Sequence, residues 1–467
     1  MQAWVGERAA FCARLPRPRA IGPASQWDNS GPMSLPPLLA ATADLLGALL
    51  THTQAADAAI ARFFDDRRPL PRTRAALADA AFAVLRRKPL FEQLCTPPFC
   101  SALADWPLPR RLALLALAHT GALADCASAL PAEAARWLAA SLPLLAGQAA
   151  LPAAFAPRCH HHLPDWLAAA LQAQEALAGD GFDQLAQALV QPAPLDVRVN
   201  LLKAKRPQAL AALGEAGIEA SATPHSPWGL RLPGKPRLHA LPAWQNGWLE
   251  VQDEGSQLLA LLTQARRGEL VVDFCAGAGG KTLALGAMMR GTGRLYAFDT
   301  SAHRLQGLQP RLRKSGLGNV HTAAIAHERD ARLHALRGKA DCVLVDAPCS
   351  GLGTLRRAPD LKWRVQAADL PALAARQVAI AQAAAALVKP GGRLIYATCS
   401  LLTEENEAVA RQLDALLPGF TPLPAGPILA AAKVPQAPGL ITPAGHLRLW
   451  PHLHGTDGFF AALWQRR

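Results

Sequence analysis

The sequence contains no run of about 20 apolar residues free of charge, so no stretch of it reads as a membrane span. Its nine cysteines are thinly spread and show no paired spacing. That excludes a disulfide scaffold and points to a reduced, cytoplasmic setting. Acidic residues are in deficit: 35 Asp and Glu against 48 Lys and Arg give a formal net charge of +13. A surplus of this size suits a polyanionic partner, because each phosphate neutralised releases counterions. An arginine-favouring genome gives the same surplus without any function. Residues 1–32 hold several arginines but no apolar segment followed by a cleavage site. They are expected to be an unstructured arm or a mis-assigned start, with Met33 opening the first helical segment.

At 467 residues the chain is too long for one ordinary core, and two or more domains are expected. Hydrophobic residues at 51% and charged residues at 18% place it among globular proteins rather than disordered ones. Residues 33–151 are rich in Ala and Leu at helical spacing, as in Leu38, Leu39, Leu45, Leu46 and Leu49, or Ala76, Leu77, Ala80, Ala81, Val84 and Leu85. Proline breaks divide this stretch, so an all-helical domain is expected. Its clusters Arg86–Lys88 and Arg110–Arg111 suit a nucleic-acid face or a merely solvated one. Residues 152–190 read as a helical connector. Within it, Cys159 with His160, His161 and His162 has no second ligand group at zinc spacing, so no metal is assigned. Residues 191–250 read as a small α+β unit: a strand at Pro194–Asn200, a helix near Pro207–Ala216, then strands around Trp228–Leu232 and Trp248–Val251.

From Leu270 onward strands and helices alternate. The strands are placed at Leu270–Phe274, Arg294–Asp299, Val320–Ile325, Cys342–Asp346 and Arg393–Thr398, which implies a doubly wound, mostly parallel α/β sheet. A late aromatic strand, Gly458–Trp464, is expected antiparallel at the sheet edge.

Three motifs carry chemistry. In the first, a strand ending at Asp273 runs into Cys275-Ala276-Gly277-Ala278-Gly279-Gly280-Lys281-Thr282, a glycine turn opening a helix, whose free N–H groups suit a ligand. A Walker loop is the competitor, but it needs glycine where Cys275 stands. In the second, Asp299 ends the next strand, where an acid accepts hydrogen bonds from ribose hydroxyls. A nicotinamide cofactor fits these two motifs equally. The third is a pair: Asp346-Ala347-Pro348-Cys349-Ser350-Gly351 follows one strand and Thr398-Cys399-Ser400 the next. Ligands in open α/β sheets bind at the carboxyl ends of strands, so two cysteines, an acid and the glycine loop should converge on one cleft. A lone cysteine is usually a small buried hydrophobe; two at adjacent strand ends are less readily explained so.

These motifs resemble the signature of the Sun/RsmB-type (NOL/NOP/Sun) family of S-adenosylmethionine-dependent RNA cytosine-5 methyltransferases. The resemblance runs from about Gln191 to Trp464 and takes in Asp196-Val197-Arg198-Val199-Asn200, Gln252-Asp253-Glu254-Gly255-Ser256-Gln257 and Gly455-Thr456-Asp457-Gly458-Phe459-Phe460. Ala278 departs from it, where many members have proline. The resemblance implies a Rossmann-like methyltransferase domain with a seven-stranded sheet at residues 251–467. It also implies a small RNA-binding α+β subdomain at 191–250 and, by length and position, a NusB-like RNA-binding domain at 33–151. It implies S-adenosyl-L-methionine as cofactor, held by Cys275–Lys281, by Asp299 at the ribose, by Asp330 at the adenine and by Asp346. In the implied mechanism Cys399 is the nucleophile at carbon 6 of cytosine, Cys349 assists release, and Asp346 meets the N3/N4 edge of the base. Enzymes acting on DNA attack with the Pro-Cys cysteine and do not need the second, so the pair favours RNA. The implied partner is RNA, small-subunit rRNA first, and the chain is expected to be a monomer. A tRNA cytosine-5 methyltransferase is the alternative enzyme, and a non-catalytic assembly factor the alternative of another class. Unstacked RNA bases suit such a site, and Arg356, Arg357, Lys362, Trp363 and Arg364 after the Pro-Cys loop suit either a phosphate-and-base grip or a plain surface loop.

Overall fold

A computed structural model describes residues 35–124, 130–435 and 437–467. The arm or false start expected at residues 1–32, together with Met33, lies outside the described residues. The chain forms two compact units, one of Met1–Thr51, Asp57–Ala83 and Cys95–Gln148, the other of His52–Ala56, Val84–Leu94 and Ala149–Arg467.

The first unit is helical. Helices Leu35–Leu49 and Leu108–His119 pack together, because each carries leucines three and four residues apart on its buried face. Thr42 interrupts that face, but its hydroxyl donates to Leu38 O at 2.7 Å, so no buried polar group is stranded.

The second unit holds two sheets. The smaller is antiparallel in the order β2-β3-β1-β4, with β1 Leu195–Val199, β2 Ser221–Ala222, β3 Gly229–Leu232 and β4 Leu249–Val251. Helix Arg206–Glu215 covers it, burying Ala209 and Leu213 in the same core as Val197, Val199, Leu230 and Leu249. The larger sheet comprises β5 Leu270–Asp273, β6 Arg294–Asp299, β7 Val320–Ala324, β8 Ala340–Asp346, β9 Val388–Thr398, β10 Phe420–Leu423, β11 Leu447–Leu449 and β12 Phe459–Arg466. Seven of these run in the order β10-β12-β9-β8-β5-β6-β7, and β11 pairs with β12 beside them. β5 to β9 are mutually parallel. Their residues alternate between two cores: Val271, Leu344 and Ile395 face one side, Val272, Val343, Val345 and Leu394 the other. Burial on both faces is why these strands read as unbroken apolar runs.

The late aromatic strand is antiparallel, as expected, but it does not form the edge. β12 lies between β9 and β10, pairing with each. The outer strand, Phe420-Thr421-Pro422-Leu423, is short and contains proline, which an edge strand tolerates and which hides a strand from its pattern. Among the described residues no helix is long and apolar enough to cross a membrane.

Candidate active site

The sheet order reverses direction around β5: β6 lies on one side of it and β8 on the other. The crevice at such a switch point, beyond the carboxyl ends of the strands, is where open α/β sheets hold ligands. The loops after β5, β6, β8 and β9 all leave at this end.

β8 and β9 run side by side in parallel to their last residues, Asp346 opposite Ala397, and Ala347 N donates to Ala397 O at 2.8 Å. The two following turns therefore travel together, and they bring Cys349 Sγ to 3.4 Å from Cys399 Sγ. Both thiols are free. The Cys399 sulfur facing it, and then burial, hold the Cys349 thiol well above its ordinary range. Gly353 seals the arrangement. Its N–H donates to Cys399 O at 2.8 Å and its carbonyl accepts from Gly458 N at 2.8 Å. A Cβ there would lie 2.1 Å from Gly458 O and 2.8 Å from Cys399 O, so only glycine fits.

Lys281, in the first turn of helix Gly280–Met288, reaches across from the β5 loop to Asp346 Oδ2 at 2.6 Å. Its ammonium lies 5.8 Å from the ring centre of Phe459. Burial disfavours the charge, but Asp346, with a further contribution from Cys399, carries Lys281 above its ordinary range. One fixed cation thus serves both the acid and the thiol of the Thr-Cys motif. The Asp346 side chain remains 28% exposed, open to a further hydrogen-bonding partner.

The glycine loop and Asp299 form one cradle. Gly277 has φ +56°, a left-handed conformation that favours glycine, and a Cβ there would meet nothing within 4 Å. Its N–H donates to Asp299 Oδ2 at 2.8 Å, and Ser301 N donates to Oδ1 at 2.7 Å. Asp299 is thereby fixed with lone pairs left for hydroxyl donors. Beneath the loop Asp273 is fully buried. Thr282 Oγ1 donates to its Oδ2 at 2.6 Å, while Oδ1 has no partner among the described residues. Open space over the loop, an anchored acid and an orphaned buried oxygen fit a nucleoside bearing an amino-acid tail. Cys275 lines the loop, its thiol pushed well up by burial. Asp330 sits after β7, where its oxygens accept from Ala326 N at 2.8 Å and Arg332 N at 3.0 Å. The Ala326 amide, then that of Arg332, holds its carboxyl below the usual range.

Burial raises the Asp273 carboxyl to about 7. Between about pH 4 and 7 the folded chain keeps a proton that the unfolded chain loses, so stability falls as pH rises through that window and levels above it. The loss is on the order of 4 kcal/mol. Asp273→Asn should abolish this slope in urea melts recorded across the window. Parallel curves for both proteins would contradict it.

Behind the cysteines lies a group the sequence did not reveal. Glu405 is fully buried and accepts four hydrogen bonds: from Ser350 N at 2.8 Å, Ser350 Oγ at 2.5 Å, Ser400 Oγ at 2.5 Å and Gln377 Nε2 at 2.9 Å. Each serine directly follows a cysteine, so this carboxylate ties both cysteine turns together. Tyr396 OH bonds Gln377 Oε1 and Glu405 O, and Asn406 Nδ2 bonds Ser400 O at 3.0 Å. A four-donor buried acceptor is one of the few settings in which an unpaired carboxylate is tolerated. The legible signal was the repeated Cys-Ser pair. Glu405→Ala should cost about 1–3 kcal/mol of stability for donors left unpaired, read as a lower urea midpoint, and an unchanged midpoint would show the network to be slack.

The basic run after the Pro-Cys loop turns inward, and the grip on RNA expected as one reading is not what it forms. Lys362 is buried, donates to Arg86 O at 2.7 Å, and is lowered by burial to about 7. Trp363 Nε1 donates to Leu85 O at 2.9 Å, and Arg364 pairs with Asp360 at 3.1 Å. Arg357 bridges Asp253 at 2.8 Å and Asp457 at 2.6 Å, and Arg356 bonds the carbonyls of Gly455 and Pro192. These side chains are consumed in fixing the loop, because desolvated charges persist only when paired.

Residues 260–465 match the family 16S rRNA methyltransferase RsmB/F, and residues 163–239 match the ferredoxin-like domain of the RsmF/B-like methyltransferases. The chain is 33% identical over 412 residues to a ribosomal RNA small subunit methyltransferase B of Pseudomonas putida, covering 84% of this chain and 90% of that one. It is 35% identical over 306 residues to a probable ribosomal RNA small subunit methyltransferase B of Synechocystis, covering 65% and 66%. The match to a probable counterpart in Bacillus subtilis, at 31% identity, spans 65% of that protein. Among solved structures, the protein PH0851 aligns with a TM-score of 0.71 at 26% identity, covering 93% of this chain and all of that one. A methyltransferase homolog from Pyrococcus horikoshii aligns with a TM-score of 0.56 at 27% identity, covering 66% and 97%.

Proposed function

Because the chain belongs to the RsmB/F family of 16S rRNA methyltransferases, we propose that it methylates carbon 5 of a cytosine in small-subunit rRNA through a covalent adduct on Cys399. The supporting observation is the pair of thiols 3.4 Å apart, placed at the carboxyl ends of adjacent strands beside the Lys281–Asp346 ion pair. The cofactor is S-adenosyl-L-methionine, which supplies, when bound, the electrophilic methyl group that carbon 5 takes up.

Carbon 5 of cytosine is a poor nucleophile. The Cys399 thiolate adds to carbon 6, forming a C–S bond and pushing electron density to carbon 5; this is covalent catalysis dividing one difficult step into easier ones. Lys281 supplies a positive charge near the Cys399 sulfur. Asp346, held by Lys281, presents its carboxylate to the N3/N4 edge of the base. Once carbon 5 carries its methyl group, its proton must leave before the C–S bond can break. Cys349, against Cys399, is placed to assist that removal. The cradle of Cys275, Ala276, Gly277, Ala278, Gly279, Gly280 and Lys281 would hold the amino-acid tail of the cofactor, Asp299 its ribose hydroxyls, and Asp330 its adenine. The target base must be unstacked to reach this position.

Bisulfite sequencing of rRNA from cells with and without the gene tests the reading, with one protected cytosine expected to become convertible in the deletion. In calorimetry, Asp299→Ala should weaken cofactor binding by about 1–3 kcal/mol, the cost of hydroxyl donors left without their acceptor. Wild-type binding of ATP in place of the cofactor would contradict the assignment of the glycine loop.

A further inference from the structure

The charge of +13 needs a location, since the basic run beside the cysteines is spent internally. Much of it lies at the opposite end of the large sheet. β5, β6, β8 and β9 begin there and the antiparallel β12 ends there. Arg266 and Arg267 precede β5, Arg294 opens β6, Arg337 and Lys339 precede β8, Lys389 stands at the start of β9, and Arg466 and Arg467 close β12. Cross-strand contacts make the row continuous. Leu270 pairs with Arg294, Gly268 N donates to Thr292 Oγ1, Lys339 N donates to Leu387 O, and Arg466 bonds Val388 O.

Glu269 and Asp341 at this edge are both engaged. Arg393 takes Glu269 at 3.0 Å and Lys389 takes Asp341. Arg267, Arg294, Arg337 and Lys339 are exposed and form no ion pair among the described residues. Cations often collect at the carboxyl ends of helices, where they offset the helix dipole. None of these four is in the last turn of an α-helix: one lies in a loop, one begins a strand, and two follow the turn Ala331–Leu336. Gly338 N and Lys339 N reach the carboxyl end of helix Leu370–Ala385 through Ala386 O and Leu387 O, so its dipole offsets part of the charge there, while Arg267 and Arg294 have no such contact among the described residues.

We propose that this edge is a second RNA surface, binding the phosphate backbone of the same substrate RNA at a distance from the target base. The inference rests on the RNA reading above. From Arg393 to Cys399 β9 advances six residues, roughly 20 Å at about 3.3 Å per residue. A stem-loop shorter than that distance, seated on the cysteines, does not reach this edge, whereas a large folded RNA does. The surface reads no sequence, since phosphate contacts position rather than specify. It selects for RNA that is extended and folded.

The test uses the full chain with Arg267→Ala, Arg294→Ala, Arg337→Ala and Lys339→Ala combined, all exposed positions outside the catalytic and cofactor-binding machinery. Binding to deproteinised, full-length small-subunit rRNA is measured against salt, beside methylation of a short stem-loop carrying the target cytosine. The variant should bind the long RNA more weakly, with a log–log salt slope shallower by about 3, four contacts at about 0.7–0.9 each. Its turnover on the stem-loop should equal that of wild type. Unchanged affinity and slope on the long RNA overturn the proposal. So does equal loss on both RNAs, which would merge the surface with the catalytic grip. Loss confined to assembled subunits, with naked rRNA bound normally, assigns the edge to a ribosomal protein and also overturns it. A wild-type chain that methylates no RNA defeats the functional reading alone, because the binding comparison still decides the surface.

Discussion

Cys349→Ala should accumulate as a covalent complex with its RNA, seen as a slow band surviving denaturing electrophoresis, while Cys399→Ala should form neither band nor product. The two thiols are 3.4 Å apart and their turns are tied to the same carboxylate, so geometry alone does not separate their roles. The proposed chemistry does. Without Cys399 no sulfur adds to carbon 6, and the rate should fall by at least about 10⁴-fold, as for loss of other covalent nucleophiles. Without Cys349, addition and methylation proceed but removal of the carbon 5 proton is impaired, and the adduct persists. The double variant should show no band, because trapping needs the nucleophile. A band with Cys399→Ala instead would exchange the roles, and full activity of both single variants would make the thiols structural.

Lys281→Met should lower single-turnover methyl transfer by on the order of 10²–10³-fold, the range seen when one preorganised electrostatic contact is removed from a site. Lys281 is the cation that both Asp346 and Cys399 support, and at 2.6 Å its bond to Asp346 fixes the acid meant for the base edge. Its loss takes a positive charge away from the proposed nucleophile and leaves Asp346 without its partner. Adduct formation by Lys281→Met in the Cys349→Ala background should slow by a similar factor, which separates an effect on addition from one on release. Equal adduct rates with and without Lys281 would assign the lysine to cofactor binding alone.

Much of this site was legible because the chemistry sits on backbone features with strong local signatures. Val271-Val272-Asp273 and Val343-Leu344-Val345-Asp346 are strands buried on both faces, so their apolar runs announce themselves, and turn glycines mark where each ends. Asp299, Asp346, Cys349 and Cys399 then fall at strand ends by counting. The sequence also placed β12 antiparallel. What stayed hidden depends on tertiary partners. Glu405 is fully buried because Ser350 and Gln377, 55 and 28 residues earlier in the chain, supply donors alongside the nearby Ser400. Lys362 and Trp363 read as a surface grip or a plain surface loop, yet carbonyls of Arg86 and Leu85, nearly 280 residues earlier in the chain, take their N–H groups. β10, four residues with a proline, has no periodicity to detect. The basic strand-start edge is visible only once the sheet order is known, since its residues are scattered from 266 to 467.

Replacement of hydrogen by methyl at carbon 5 is the event that distinguishes this chemistry from methylation at a ring nitrogen, an exocyclic amine or a ribose hydroxyl. Small-subunit rRNA carrying tritium at carbon 5 of its cytosines should release one tritium to water for each methyl group incorporated by the wild-type chain, and none with Cys399→Ala. Incorporation of methyl groups without tritium release would contradict the account at its centre.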